Sequence, residues 1–332
     1  MIAVTKELTM WSPEATAIMR RIVAATNSDI LMFNAAIERG RDRRITKLCT
    51  TRACRPNLMM ILVTNGGDPD VAYRMARSIQ NHYKKFTVCI SGSCKSAGTL
   101  MVLGANELAF SENGEIGPLD IQLAKKDELW ESESGLTVMT ALTALAENAQ
   151  DAFDHFLVSL TTRSSGRITV RTASEIAAKL TQALYTPITD QIDAIHVGEV
   201  KRSMAIAKEY GQRLIRKSGI CDAETLETFI SGYPSHSFVI DREEAKELFK
   251  SGTVRDCTAD ELALLEDLES YSLIPSASPF VRFISDDIIE EDKANAESEA
   301  KAVLEQPGVG GTPPPTNGGI SSEGQVRAAV GQ

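Results

Sequence analysis

The sequence predicts an α/β fold with a mainly parallel sheet, giving way to a helical second half. Three observations carry this. Short apolar runs recur that are too continuous for half-exposed strands. Two of them are followed by a glycine-marked turn and a short helical pattern. From Gly135 onward the apolar period lengthens to that of helices.

The elements follow in order. Ser12-Pro13-Glu14 is a helix start, with a capping hydroxyl, proline at the first helical position and an acid in the first turn. Ile18, Met19, Ile22 and Val23 then fall on one helical face. Residues 29–37 (DILMFNAAI) and 57–64 (NLMMILVT) read as buried strands, the second ended by Asn65-Gly66-Gly67-Asp68-Pro69. A helix is expected from about residue 70, with Ala72, Met75, Ala76 and Ile79 inward. A third strand covers 86–91 and places Cys89 as a small core residue. Gly92 leads to a small-residue helix over 96–104, and residues 107–110 form a fourth strand.

Beyond Gly135, the spacing of Leu136, Met139, Leu142, Leu145, Ala149, Phe153, Phe156 and Leu160 predicts one long amphipathic helix. Ser174 is expected to cap the next, and 199–217 form a third. Asp241 with Glu244 resembles an acidic capping box, and a last helix spans about 258–270. Past residue 286 the composition turns acidic, then rich in Gly, Pro, Ser and Thr. Such a segment buries too little apolar surface to offset its chain entropy, which predicts disorder.

Composition excludes several functions. The net charge of −10 argues against a nucleic-acid binder. The basic run Arg39, Arg41, Arg43, Arg44, Lys47 is short and lacks interleaved aromatics, so it reads as a solvated or subunit-facing surface. Six cysteines without a Cys-x-x-Cys pair or a neighbouring histidine cluster give no zinc pattern. No metal or cofactor is expected. With no signal pattern and no 18-residue apolar run, the expectation is a cytoplasmic protein without an integral membrane segment. No Walker-type phosphate loop is present, so the chain is not expected to be an ATP-driven unfoldase itself, and the hydrolysis considered below is ATP-independent.

The chemistry points to two strand-to-helix turns, at Gly66-Gly67 and at Gly92 to Gly98. Parallel strands present such turns along one sheet edge, where α/β folds place their ligands. In Lys95-Ser96-Ala97-Gly98-Thr99 the serine hydroxyl stands at a helix start. The N–H groups of Ala97 and Gly67 are then candidates for an oxyanion hole facing that nucleophile. The bland reading is a tight turn and an ordinary cap.

Four motifs sharpen this: Ile61 to Ile79 (ILVTNGGDPDVAYRMARSI), Lys95 to Leu100 (KSAGTL), Gly104-Ala105-Asn106-Glu107, and Gly114 to Asp120 (GEIGPLD). With Tyr233 to Lys246 (YPSHSFVIDREEAK), they resemble the serine dehydrogenase proteinase family, related to signal peptide peptidase A and the Clp protease proteolytic subunit. The resemblance spans residues 29–255. It implies a Clp/crotonase-like spiral of ββα units, Ser96 as nucleophile, and backbone donors at Gly67 and Ala97. It also implies a peptide or unfolded-protein substrate and a homo-oligomer, the long helix near 136–161 serving as one contact.

The general base stays open. Where the Clp pattern has a histidine this sequence has Glu115-Ile116-Gly117-Pro118, and no lysine occurs between Lys126 and Lys179. His236 is one candidate, histidine being the residue type whose ordinary range suits a base at neutral pH. Lys126 would need desolvation or a neighbouring cation to act as a base. Lys95, adjacent to the nucleophile, is expected to pair with an acid or meet another subunit, and Asp120 is a turn residue or an orienter of the base. The chain thus divides into an N-terminal helical segment (1–28), a peptidase-like domain (29–255), a C-terminal helix and extension (256–285) and a tail (286–332). A serine endopeptidase working through an acyl-enzyme is the leading reading. A degenerate scaffold and a crotonase-type acyl-CoA enzyme are the alternatives.

Overall fold

The computed structural model describes residues 11–52, 54–119, 122–124, 132–286 and 288. Lys126, Asp120 and nearly all of the expected tail lie outside them.

Helix α1 (Pro13–Thr26) starts as the sequence predicts, Ser12 accepting from the Ala15 amide at 2.9 Å. Strand β1 (Ser28–Asn34) is shorter than expected; Ile37, beyond it, makes an isolated bridge to Gly67. Then come α2 (Arg41–Arg52), β2 (Asn57–Val63), α3 (Pro69–His82) and β3 (Lys85–Ile90). A two-residue β4 (Ser93–Cys94) precedes α4 (Ala97–Leu103), β5 (Glu107–Phe110) and another two-residue strand, β6 (Glu115–Ile116). A small hairpin of β7 (Gln122–Ala124) and β8 (Ser132–Ser134) leads into α5 (Gly135–Arg163).

Helix α6 (Val170–Thr189) is capped by Thr169, not by Ser174, which lies inside it. Helix α7 (Ala194–Ser218) is capped by Asp193, and α8 (Ala223–Ser231) by Asp222. Asp241 caps α9 (Arg242–Leu248), but the box does not close. The Glu244 carboxylate instead accepts from the Tyr233 hydroxyl at 2.6 Å. Strand β9 (Val254–Asp256) precedes α10 (Ala259–Leu268), which does carry a closed capping box between Thr258 and Glu261. The short α11 (Ser270–Leu273) and β10 (Phe280–Phe283) complete the described fold.

The main sheet runs β10-β1-β2-β3-β5-β9, parallel throughout except for β10. Its central strands are buried on both faces, which is why they read as unbroken apolar runs. Leu31, Phe33, Met60 and Leu62 meet α2, α3, α4 and α7 on one side. Ile30, Met32, Met59 and Ile61 meet α1 and α10 on the other.

A second, narrow ladder stands beyond the strand ends. Thr64 bridges Cys94 in parallel, β4 pairs with β6, and Ile116 bridges Ile240 antiparallel. The chain therefore repeats a long strand, a short strand and a helix. That is the α/β spiral of ββα units the resemblance implies, with helices dominating the second half. No described helix is long and apolar enough to cross a membrane.

Candidate functional site

The narrow ladder builds the site, and Thr64 is its hinge. The Thr64 N–H donates to the Ser93 carbonyl at 2.8 Å, and its own carbonyl accepts from Lys95 N–H at 2.9 Å. Its Oγ1 accepts from the Gly66 N–H at 3.0 Å. One buried residue thus fixes both glycine-marked turns against each other. On the far side, Cys94 C=O accepts from Gly117 N–H at 3.0 Å, and Thr99 Oγ1 donates to the Gly117 carbonyl at 2.8 Å.

Ser96 is held at the crest of the second turn with φ 52° and ψ −118°. L-residues other than glycine avoid this conformation, which costs of order 1–3 kcal/mol. The side chain does not cap α4. The ordinary explanation for a serine at a helix start, a capping hydroxyl, is therefore missing. Ser96 is 7% exposed, so what reaches it must enter a confined space.

The first turn abuts the second. At Gly66 (φ +101°) a Cβ would lie 2.6 Å from the Ser96 Cβ and 3.1 Å from the Ala97 nitrogen. At Gly67 (φ +140°) it would lie 2.2 Å from the Ile37 carbonyl oxygen. No side chain fits either place, and an L-residue would also be strained there. The Ile37–Gly67 bridge uses the Gly66 carbonyl (2.9 Å) and the Asp68 amide (2.7 Å), not the Gly67 amide. Among the described residues, no hydrogen bond engages the N–H of Gly67 or of Ala97.

Neighbouring groups narrow the chemistry. Burial pushes the Cys94 thiol up to about 12, so it is no thiolate competitor beside Ser96. Lys95 extends sideways, its Nζ 3.1 Å from Glu115 Oε1 and 3.2 Å from the Phe238 carbonyl. Of its two expected roles, the pairing with an acid is the one found. Through Phe238, Lys95 holds the loop between α8 and α9 that carries His236, which is half-buried. The same loop stacks Tyr233 on Phe238, with centroids 4.8 Å apart, and ends in the Ile240–Ile116 bridge.

Ser96, Ala97 and the Gly66-Gly67 turn are therefore brought together, and the His236 loop reaches the residue next to Ser96. Sequence reasoning missed Thr64, although a threonine immediately before Asn65-Gly66-Gly67 is the natural anchor for such a turn. It also looked past Gly66, the glycine that actually touches Ser96. Among the described residues, no group of three or more His, Cys, Asp or Glu side chains is placed to hold a metal ion.

No family model matches this chain, and no curated protein does. Solved structures similar to it include two of the 1510-N membrane-bound stomatin-specific protease. One is a serine-to-alanine mutant, 17% identical with a TM-score of 0.37, the match covering 71% of this chain and 81% of that one. The other is a lysine-to-alanine mutant in complex with a substrate peptide, 16% identical with a TM-score of 0.37, covering 76% and 85%.

Proposed function

We propose that this chain is a serine endopeptidase that hydrolyses peptide bonds without ATP, with Ser96 as nucleophile. The observation that carries the reading is the backbone of Ser96. A serine in a disfavoured conformation, excused from capping and pressed against a glycine turn, is what a nucleophile elbow requires and what a structural serine avoids.

In this reading Ser96 Oγ attacks the scissile carbonyl carbon as a base takes its proton. The developing oxyanion accepts from the Gly67 and Ala97 amides. Collapse expels the amine, which leaves with that proton, and water then attacks the ester and releases the acid with Ser96 restored. The base is His236 or Lys126. The acyl-CoA alternative needs no strained serine at this turn, and nothing in the site favours it.

The working form is a cytoplasmic homo-oligomer acting on peptides or unfolded proteins. None of the six cysteines forms a disulfide, as suits a reducing compartment. The face of α6 carries Ile176, Leu180, Leu184 and Ile188 exposed at helical spacing, which suits burial against a second copy. Sedimentation giving a monomer at micromolar concentration would contradict the assembly.

The test of activity uses casein and a fluorogenic peptide library. Wild type should cleave, and Ser96→Ala should lose a factor on the order of 10³ or more in kcat. Equal behaviour of the two proteins across substrates ends the peptidase reading. His236→Ala and Lys126→Ala, assayed alongside, identify the base by which one abolishes turnover.

A further inference from the structure

Away from Ser96, helices α2 and α3 enclose a groove of about 450 Å³. That volume lies in the range of small-molecule sites, ~300–1,000 Å³. Arg43 and Lys47, one turn apart on α2, face Arg74 and Arg77 on α3, with Asp42 the single carboxylate in the lining. A chain of net charge −10 thus concentrates positive charge in one concavity.

The cations are not used up by one another's partners. Arg74 is pinned by Asp42. Arg77 lies over the Tyr73 ring, 5.5 Å from its centroid, and among the described residues neither it nor Arg43 nor Lys47 is paired with an acid. Two guanidinium forks and an ammonium are left facing the groove.

A second, independent observation concerns Ser78, which also lines the groove. Its side chain is 7% exposed, and its hydroxyl makes no hydrogen bond. Helical hydroxyls normally bond back to the preceding turn. Thr50 and Thr51 on the facing helix do so, to the Thr46 and Lys47 carbonyls. Ser78 does not, although its own carbonyl is engaged by His82 Nδ1 at 2.8 Å. A buried hydroxyl without a partner costs about 1–3 kcal/mol, a loss that a bound acceptor would remove.

We propose that this groove binds a small anion carrying two or more phosphate groups. Arg43 and Arg77 would take phosphate oxygens bidentately, Lys47 would supply a point charge, and Ser78 Oγ, closed off from solvent in the unbound chain, would turn into the groove to donate. Guanidinium forks match phosphate geometry, and several phosphates in series match several cations along a groove better than one anion would.

The test is calorimetric titration of the full chain with tripolyphosphate at fixed ionic strength. Saturable binding is expected, weakened at least tenfold in Arg43→Gln/Arg77→Gln and several-fold in Ser78→Ala. Arg216→Gln, an exposed arginine on α7, should bind as wild type does. A nucleoside triphosphate run in parallel separates two sources of the same chemistry. Equal affinity assigns recognition to the phosphate chain alone, whereas tighter binding adds a contact to the nucleoside. Absence of saturation up to about 10 mM tripolyphosphate overturns the site. So does equal weakening by Arg216→Gln, which would mark diffuse attraction, or an affinity untouched by Ser78→Ala. The substituted arginines are exposed, and melting curves matching wild type establish that the variants fold.

Discussion

Strand β2 buries Leu58 through Val63 almost completely, whereas α6 leaves Ile176, Leu180, Leu184 and Ile188 between 37 and 55% exposed. Both segments are apolar, but they meet different constraints. In the spiral the central strands are covered on two faces, so side chains there have one arrangement and the turns at the strand ends inherit it. The helices from α5 to α7 pack on one another and keep apolar surface in reserve. The difference teaches where chemistry can be stored. Ser96, held at φ 52° and ψ −118°, persists only because its surroundings over-determine it, and the crest beside Thr64 supplies them.

The sharpest way to break this contrast is to truncate one large side chain in each region. Leu62→Ala, on β2 itself, should lower stability by about 2–5 kcal/mol in urea unfolding. Leu184→Ala should stay within about 0.5 kcal/mol and alter only the sedimentation profile. Similar losses at the two sites would erase the distinction.

Glycines sharpen it next. Gly67→Ala combines a forbidden φ with a clash against the Ile37 carbonyl, and should cost about 2–4 kcal/mol together with activity. Gly166→Ala has a positive φ of +77° but open space around it, so about 1 kcal/mol is expected. Retention of full activity by Gly67→Ala would remove the turn from the site.

The smallest effect concerns pH. Burial alone would raise the Glu261 carboxyl, but hydrogen bonds from Arg255 and the Thr258 amide outweigh it and hold it below its ordinary value of 4.5. Glu107 is likewise held low against its burial, by Lys85 and Arg255. Because these folded-state values are depressed, the stabilisation is present above 4.5 and is lost as pH falls through the folded pKa values. The melting temperature should therefore drop from pH 5 to pH 3, and drop less in Glu261→Gln. An equal slope in the variant would place the acid sensitivity elsewhere.

What the sequence disclosed follows the same division. The central strands and α3 were legible because two-sided burial leaves an unbroken apolar run, and α1 because Ser12-Pro13 announces it. Helix α2 was missed since only Ile45 and Cys49 among its apolar side chains are fully buried, under a strongly basic surface. Strands β4 and β6 are two residues long, too short for any periodicity, and β9 and β10 are short strands at the sheet's edges. Thr169 and Ser174 offer equivalent capping hydroxyls, and only packing chooses between them. At the site, Ser96 and the glycines announce themselves through local spacing. A base does not, because no local pattern links His236 to a serine so distant in the chain.

Covalent labelling with a fluorophosphonate reports on the elbow without assuming any substrate. The reagent forms a stable serine adduct by displacement of fluoride, and peptide mass analysis locates it. The folded protein should carry the adduct at Ser96, with none at neighbouring Ser93, and heat denaturation beforehand should abolish it. A folded, monodisperse protein that takes up no label at Ser96 would contradict the assignment of that residue as the nucleophile.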